Sequence, residues 1–194
     1  VVVSIGGDGT FLRAAAWVGS RETPIFGVNT GHLGYLSDVS VADVSTFVAG
    51  LADGNFRIER RSLLQVDTNA GVALANRYAL NEVAILKNAS ASMLAMDTSV
   101  DTTMLNTYLG DGLIIATPTG STAYNLSVGG PILHPACSSF VLSPIAAHSL
   151  TMRPLVVPDT VEIAVTTRSE RSHTFRISVD GESLSLPIGS TIRL

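Results

Sequence analysis

The sequence predicts a partial parallel α/β unit at the N-terminus, followed by a larger β-rich, sandwich-like unit. Three observations lead there. The chain opens on a continuous β-branched run, Val1–Ile5, that stops at the glycine cluster Gly6-Gly7-Asp8-Gly9-Thr10. A helical stretch and a second short apolar run come next, as in a strand-loop-helix-strand unit. Past Asn55 the texture becomes short runs of Val, Ile, Leu and Thr between turn signals. The division falls between residues 1–54 and 55–194.

Taken in order, Val1–Ile5 reads as a fully buried strand, Phe11–Val18 as a helix, and Ile25–Val28 as a second buried strand after Pro24. Ser40 with Asp43 resembles a capping box, and Val41, Val44, Phe47, Val48 and Leu51 share one helical face until Gly54. In the second unit the candidate strands are Leu63–Val66, Val72–Leu80, Val83–Leu86, Met93–Val100, Met104–Leu109 and Leu113–Ala116. Phe140–Leu142, Val161–Thr167, Thr174–Val179 and Thr191–Leu194 complete the set. The stretches "TNAG", "DGE" and "PIGS" mark turns. A buried parallel strand at residue 1 is an odd start for a natural chain, so a preceding segment is expected.

Composition bounds the function. The 194 residues are 46% hydrophobic and 14% charged, enough for a sizeable core. No apolar run approaches the ~20 residues of a membrane span and no signal peptide opens the chain, so a cytoplasmic location and no membrane partner are expected. Net charge is −4 with the basic residues scattered, which argues against nucleic acid. Arg57, Arg60 and Arg61 read as a solvated strand face. Cys137 is the single cysteine and reads as a buried small hydrophobe. His32, His134 and His148 read as hydrogen-bonded structural residues.

The glycine cluster has chemistry of its own. A strand, a glycine turn and a helix together aim main-chain N–H groups and the positive helix end at one point, which suits an anion such as phosphate. Gly6, Gly7 and Gly9 would let phosphate oxygens approach the backbone, and Thr10 adds a hydroxyl. The P-loop lysine and the dinucleotide fingerprint are both missing. Asp8 is unfavourable beside phosphate unless it meets a metal ion or takes a proton from a substrate hydroxyl, the two tasks of phosphoryl transfer. The plainer alternative is an Asp that stabilises the turn or caps the helix.

A second constellation, "LGDGLIIATPTGSTAYNLSVGGPILHP" (Leu109–Pro135), is a strand followed by a turn dense in hydroxyls and glycines. Thr117, Thr119, Ser121 and Thr122 offer short donors and acceptors, Tyr124 an aromatic face and Asn125 a bidentate amide. Such a wall suits a polar ring and its ribose, and it is equally a well-capped helix start. Asn81-Glu82 is a third, weaker signal: two adjacent polar groups between apolar runs.

In order, "GGDGT", "GVNTGHLGYL" (Gly27–Leu36), "NE" (Asn81, Glu82), "TPTGSTAYNLSVGGPILHP" (Thr117–Pro135), "PIAAHSLTMRPLVVP" (Pro144–Pro158) and "VDGE" (Val179–Glu182) are spread over nearly the whole chain. With these elements the sequence closely resembles the NAD kinase family. "GGDGT" also occurs in phosphofructokinases and in diacylglycerol and sphingosine kinases, whereas the Thr117–Pro135 block is specific. The resemblance implies magnesium-dependent transfer (or transfer aided by another divalent cation) of a phosphoryl group from ATP or polyphosphate to the adenosine ribose 2′-hydroxyl of NAD, giving NADP. It implies Asp8 as general base, Gly6, Gly7, Gly9 and Thr10 near phosphates, and Asn81 and Glu82 orienting the adenosine end of NAD. Thr122, Ala123 and Tyr124 match the loop holding adenine and ribose, with Thr119, Ser121 and Asn125 in the same segment. Asp111 matches an acid that reaches the dinucleotide from a neighbouring subunit, so a homodimer or homotetramer is implied. NAD is expected in the crevice between an α/β domain and a β-rich one. Family members carry further segments before "GGDGT" and after the β-rich part, and this chain has neither. No residue is assigned to the metal.

Three rivals stand beside this reading. A lipid or sugar kinase accounts for "GGDGT" but not for the Tyr124 block. A binding or oligomerisation module would hold NAD without turnover. A serine hydrolase built on Ser121 lacks the G-x-S-x-G elbow.

Overall fold

The β-branched run at the start pairs in parallel with the next apolar stretch, as βαβ chemistry demands. The computed structural model describes residues 1–31, 34–37, 39–88 and 93–194. They form two compact units, Val1–Arg60 and Arg61–Leu194. The first holds β1 (Val2–Ile5), α1 (Asp8–Val18), β2 (Ile25–Asn29), β3 (Val39–Ser40) and α2 (Val44–Ala52), with the sheet order β1-β2-β3, all parallel. Val2, Val3, Ser4 and Ile5 lie opposite Ile25, Phe26, Gly27 and Val28.

Two expectations for this unit change. Val1, Val3 and Ile5 are exposed rather than buried, because alternate strand residues share a face and only the opposite face, with Ser4, is turned fully inward. The predicted helix over 41–51 begins as one 3-10 turn, Val41–Asp43, and its apolar stripe is only partly covered. Phe47 meets Phe26 with ring centroids 4.7 Å apart, and Val48 stays exposed. Ser40 Oγ donates to the Asp43 carboxylate at 2.6 Å, so the pair bonds side chain to side chain instead of closing a reciprocal box on the main chain.

The second unit contains β4 (Leu64–Gln65), β5 (Asp67–Thr68), β6 (Tyr78–Ala79), β7 (Glu82–Lys87), β8 (Leu94–Val100), β9 (Thr103–Gly110) and β10 (Gly112–Ala116). After the short helix α3 (Tyr124–Ser127) come β11 (Ser139–Ile145), β12 (Leu155–Pro158), β13 (Ile163–Arg168), β14 (Thr174–Val179), β15 (Glu182–Pro187) and β16 (Thr191–Arg193). They make an antiparallel six-stranded sheet, β12-β11-β10-β7-β14-β15, an antiparallel five-stranded sheet, β5-β16-β13-β8-β9, and a two-stranded ribbon, β4-β6. One buried cluster joins Val83, Ile85, Leu113, Ile115 and Phe175 of the first sheet to Leu94, Met96, Ile163 and Val165 of the second, which makes this a sandwich. The alternate residues Ala84, Ile114, Ala116 and Val141 form a second cluster on the outer face, against Val128 and Leu133. Strand β10 is therefore buried on both faces, the physical reason that "LIIA" is continuously apolar rather than alternating.

The sequence reading differs here at a few places. Only Tyr78–Ala79 of the expected strand 72–80 pairs, and residues 72–77, with Asn76 and Arg77 among them, form no strand. Arg57, Arg60 and Arg61 lie on an extended segment outside any sheet; Arg60 approaches Glu22 at 3.7 Å and Arg61 reaches Thr119. Cys137 is exposed, in the turn after His134-Pro135, where no sheet covers it. His134 Nδ1 accepts the Ala136 N–H, and His32 lies outside the described residues. Among the described residues, no helix is long and apolar enough to cross a membrane.

Candidate functional site

In the first unit, α1 begins at Asp8, three residues earlier than predicted, so the glycine turn is only two residues long before the helix. Of the three glycines, Gly6 alone has a positive φ, at 147°, and a Cβ there would lie 2.5 Å from Thr10 Oγ1. Gly7 caps the helix, its carbonyl accepting the Thr10 and Phe11 N–H groups. Gly9 has open space where a side chain would be.

Asp8 reaches away from its own helix. Its Oδ2 accepts the Tyr35 N–H at 2.9 Å and its Oδ1 the Leu36 N–H at 3.0 Å. This tie explains a glycine in "GHLGYL": a Cβ on Gly34 would fall 2.2 Å from Asp8 Oδ1. The carboxylate is thus half-buried at a helix start, beside two exposed glycines, with each oxygen holding one main-chain donor and keeping further acceptor capacity.

In the second unit the strand register gathers three turns at one sheet end. Glu82 starts β7 opposite Ala116, the end of β10, and Val83 lies opposite Val179, the end of β14. The residues just beyond those strand ends, Asn81, Thr117 and Asp180, therefore meet. Thr117 donates its N–H to the Asn81 carbonyl at 2.9 Å and its hydroxyl to the Leu80 carbonyl, while accepting the Gly120 N–H at 3.1 Å. A Cβ on Gly120 would lie 2.0 Å from the Asn81 carbonyl oxygen, so this close crossing requires glycine.

The predicted ligand wall separates into two groups. Thr119, Ser121 and Asn125 are buried. Asn125 is corrected from a free bidentate amide to a structural one: its Nδ2 donates to the Ser121 and Pro131 carbonyls and its Oδ1 accepts the Ser143 hydroxyl at 2.6 Å. Ser121 Oγ donates to the Pro118 carbonyl and accepts the Leu133 N–H, and Thr119 Oγ1 accepts from Arg61. These three side chains hold the turn. Thr122 and Tyr124 are exposed and Ala123 is half-buried, so this edge remains open. Asp111 pairs with Lys87 of its own chain, Nζ to Oδ1 2.6 Å, in the bend between β9 and β10.

Glu82 is electrostatically the most perturbed residue here. Burial, then the charge of Asp180, raises its pKa from 4.5 to about 7, with the Tyr124 main-chain N–H pulling the other way. Its Oε2 is buried without a hydrogen-bond partner. Sequence reading gave Asp180 no role; it saw the turn, since "DG" with positive φ at both positions is a two-residue hairpin signal.

The family model for the ATP-NAD kinase C-terminal domain matches residues 80–193, and the one for the N-terminal domain matches residues 1–56. The chain belongs to the NAD kinase family. An NAD kinase from Porphyromonas gingivalis is 49% identical over 193 residues, all of this chain and 66% of that protein. One from Bacteroides fragilis is 48% identical over 183 residues, 94% of this chain and 63% of that protein. The chain thus spans just under two thirds of these relatives of the NAD kinase family. Among solved structures, yeast NADH kinase complexed with NADH aligns with a TM-score of 0.90 at 28% identity, over 98% of this chain and 56% of that one. The NAD kinase from Archaeoglobus fulgidus in complex with ATP aligns with a TM-score of 0.81 at 33% identity, over 98% and 72%.

Proposed function

We propose that the protein carrying this chain is an NAD kinase, transferring the terminal phosphoryl group of ATP to the adenosine ribose 2′-hydroxyl of NAD and giving NADP and ADP. The observation that carries this reading is Asp8: a carboxylate fixed by two main-chain donors at the start of a helix, between glycines that leave the backbone approachable. A ribose hydroxyl is a poor nucleophile near neutral pH. Asp8 accepts its proton as the oxygen attacks the terminal phosphorus and the bond to the ADP oxygen breaks. Gly6, Gly7, Gly9 and Thr10 receive donor phosphates. Asn81, Glu82 and the open edge Thr122–Tyr124 receive the adenosine part of NAD, with Thr119, Ser121 and Asn125 holding that edge in place.

Among the described residues no three His, Cys, Asp or Glu side chains converge on a metal position. Magnesium is the expected divalent cation and would spread the charge of the donor phosphates. The ATP complex of the archaeal relative supports ATP as donor; polyphosphate is the alternative. A homodimer or homotetramer in the cytoplasm completes the reading. Edge strand β9 supports the oligomer, since it leaves Met104, Leu105 and Leu109 exposed along the strand that leads to Asp111.

The test is incubation of the full-length protein with NAD, magnesium and either ATP or polyphosphate, with NADP detected enzymatically. NADP formation with one donor is the expected result. NAD binding without NADP from either donor would make this a binding module instead.

A further inference from the structure

The "VDGE" turn takes no part in the reaction above, yet its carboxylate has the most main-chain donors of any group near Asn81 and Glu82. Asp180 Oδ2 accepts the Leu80 N–H at 2.7 Å, and Oδ1 accepts the Asn81 and Glu82 N–H groups at 2.9 and 3.0 Å. Three successive amides aimed at one point form a concavity for an anion, and Asp180 supplies that anion from a residue about a hundred positions away. The turn itself does not require Asp. Asp180 and Gly181 have φ of 46° and 89°, a type I′ pair in which Asn is at least as well accommodated. Asn, however, would present an N–H₂ group where three donors converge.

We propose that Asp180 is a positioning residue of the NAD site: its ionised carboxylate fixes the Leu80–Glu82 main chain that presents Asn81 and Glu82, and sets a permanent negative charge beside the Glu82 carboxyl. The inference rests on the NAD kinase reading. Of the two acids, Asp180 has three donors favouring its charged form, while Glu82 has a buried oxygen with none. Burial raises both pKa values, and the three amides oppose the rise at Asp180. Below about pH 7 Glu82 therefore holds a proton that it can donate to a ligand hydroxyl or ring nitrogen. Beside Glu82, β10 places the apolar Ala116, α3 contributes the Tyr124 main chain, and Asp180, just past β14, is the charged side chain that acts on it.

The experiment compares full-length wild type with Asp180→Asn, Glu82→Gln and Asp101→Asn. Asp101 is a useful control, being another positive-φ hairpin Asp, whose carboxylate accepts one N–H, from Glu162. KM for NAD and kcat are measured across pH, NAD binding by calorimetry, and folding by thermal melts. Asp180→Asn should fold, raise KM for NAD about tenfold or more with kcat little changed, and move the Glu82 limb of the profile below its position near pH 7. Asp101→Asn should leave all three unchanged. Wild-type KM and pH profile in Asp180→Asn would overturn the proposal. Should that variant fail to fold, Asp180→Ser decides, since it removes the charge and the three-donor acceptor but tolerates the turn: a raised KM for NAD with the Glu82 limb, identified by its loss in Glu82→Gln, moved below pH 7 upholds the proposal, and a wild-type KM and profile overturn it. If wild type makes no NADP, the kinase reading falls by itself, and calorimetry then judges Asp180: about tenfold weaker NAD binding in Asp180→Asn upholds the role, and equal binding removes it.

Discussion

Asp8 and Asp180 each accept hydrogen bonds from consecutive main-chain amides, two in one case and three in the other, but their surroundings differ. Asp8 stands at a helix start between exposed glycines, in a unit whose apolar Val1, Val3, Ile5 and Trp17 are largely exposed. Asp180 closes a hairpin at the end of a sheet with a continuous buried core, and its neighbour is another acid. Clamping alone does not separate a reacting carboxylate from a scaffolding one. The open ground beside Asp8 and the occupied ground beside Asp180 do.

The comparison breaks most sharply at Asp8. Asp8→Asn keeps an oxygen for one of the two amides, so the fold and NAD binding should persist while kcat for NADP formation falls about 10²–10⁴-fold. Retained turnover would return Asp8 to the same class as Asp180.

Next in size is the pH dependence of stability in the second unit. Because the folded state raises the Glu82 pKa from 4.5 to about 7, folding holds this proton more tightly than the unfolded chain does. The associated stability is fully present below pH 4.5, declines as pH rises to about 7, and is flat beyond. It amounts to at most about 3 kcal/mol. Urea unfolding at pH 5 and pH 8 should show the decline in wild type and a much smaller one in Glu82→Gln, and equal slopes would contradict it.

A pair of glycines gives the smallest effects and sharpens the contrast between fold and ligand. Gly120→Ala forces a methyl onto the Asn81 carbonyl and should cost about 1–3 kcal/mol as well as weakening NAD binding. Gly9→Ala meets nothing and lies in a helix, so stability should be unchanged or higher by up to about 1 kcal/mol while KM for ATP rises. An unaltered KM would mean that no phosphate approaches there.

Much of this was legible in residue order, and for particular reasons. "LIIA" announced a doubly buried strand, and the glycine cluster announced a strand-to-helix turn with a carboxylate in it. The edge strands Leu155–Pro158 and Glu182–Pro187 escaped because half-exposed edges need no apolar run: "ESLSLP" has only one fully buried residue, Leu186. Residues 72–77 misled because an apolar start, Val72 to Leu74, was not matched by a pairing partner. The inward role of Asn125 and the clamp at Asp180 were out of reach, since their partners include Ser143 and Leu80, brought close only by sheet register.

Strand β10 carries one last implication. Its amides and carbonyls are paired to β7 on one side and β11 on the other, and both of its faces are covered. Deuterium can reach the Ile114 and Ile115 amides only when the sandwich as a whole comes apart, whereas the outermost strands β12 and β15 need only fray. The exchange rate of these two amides is therefore a built-in gauge of global opening, readable without any substrate.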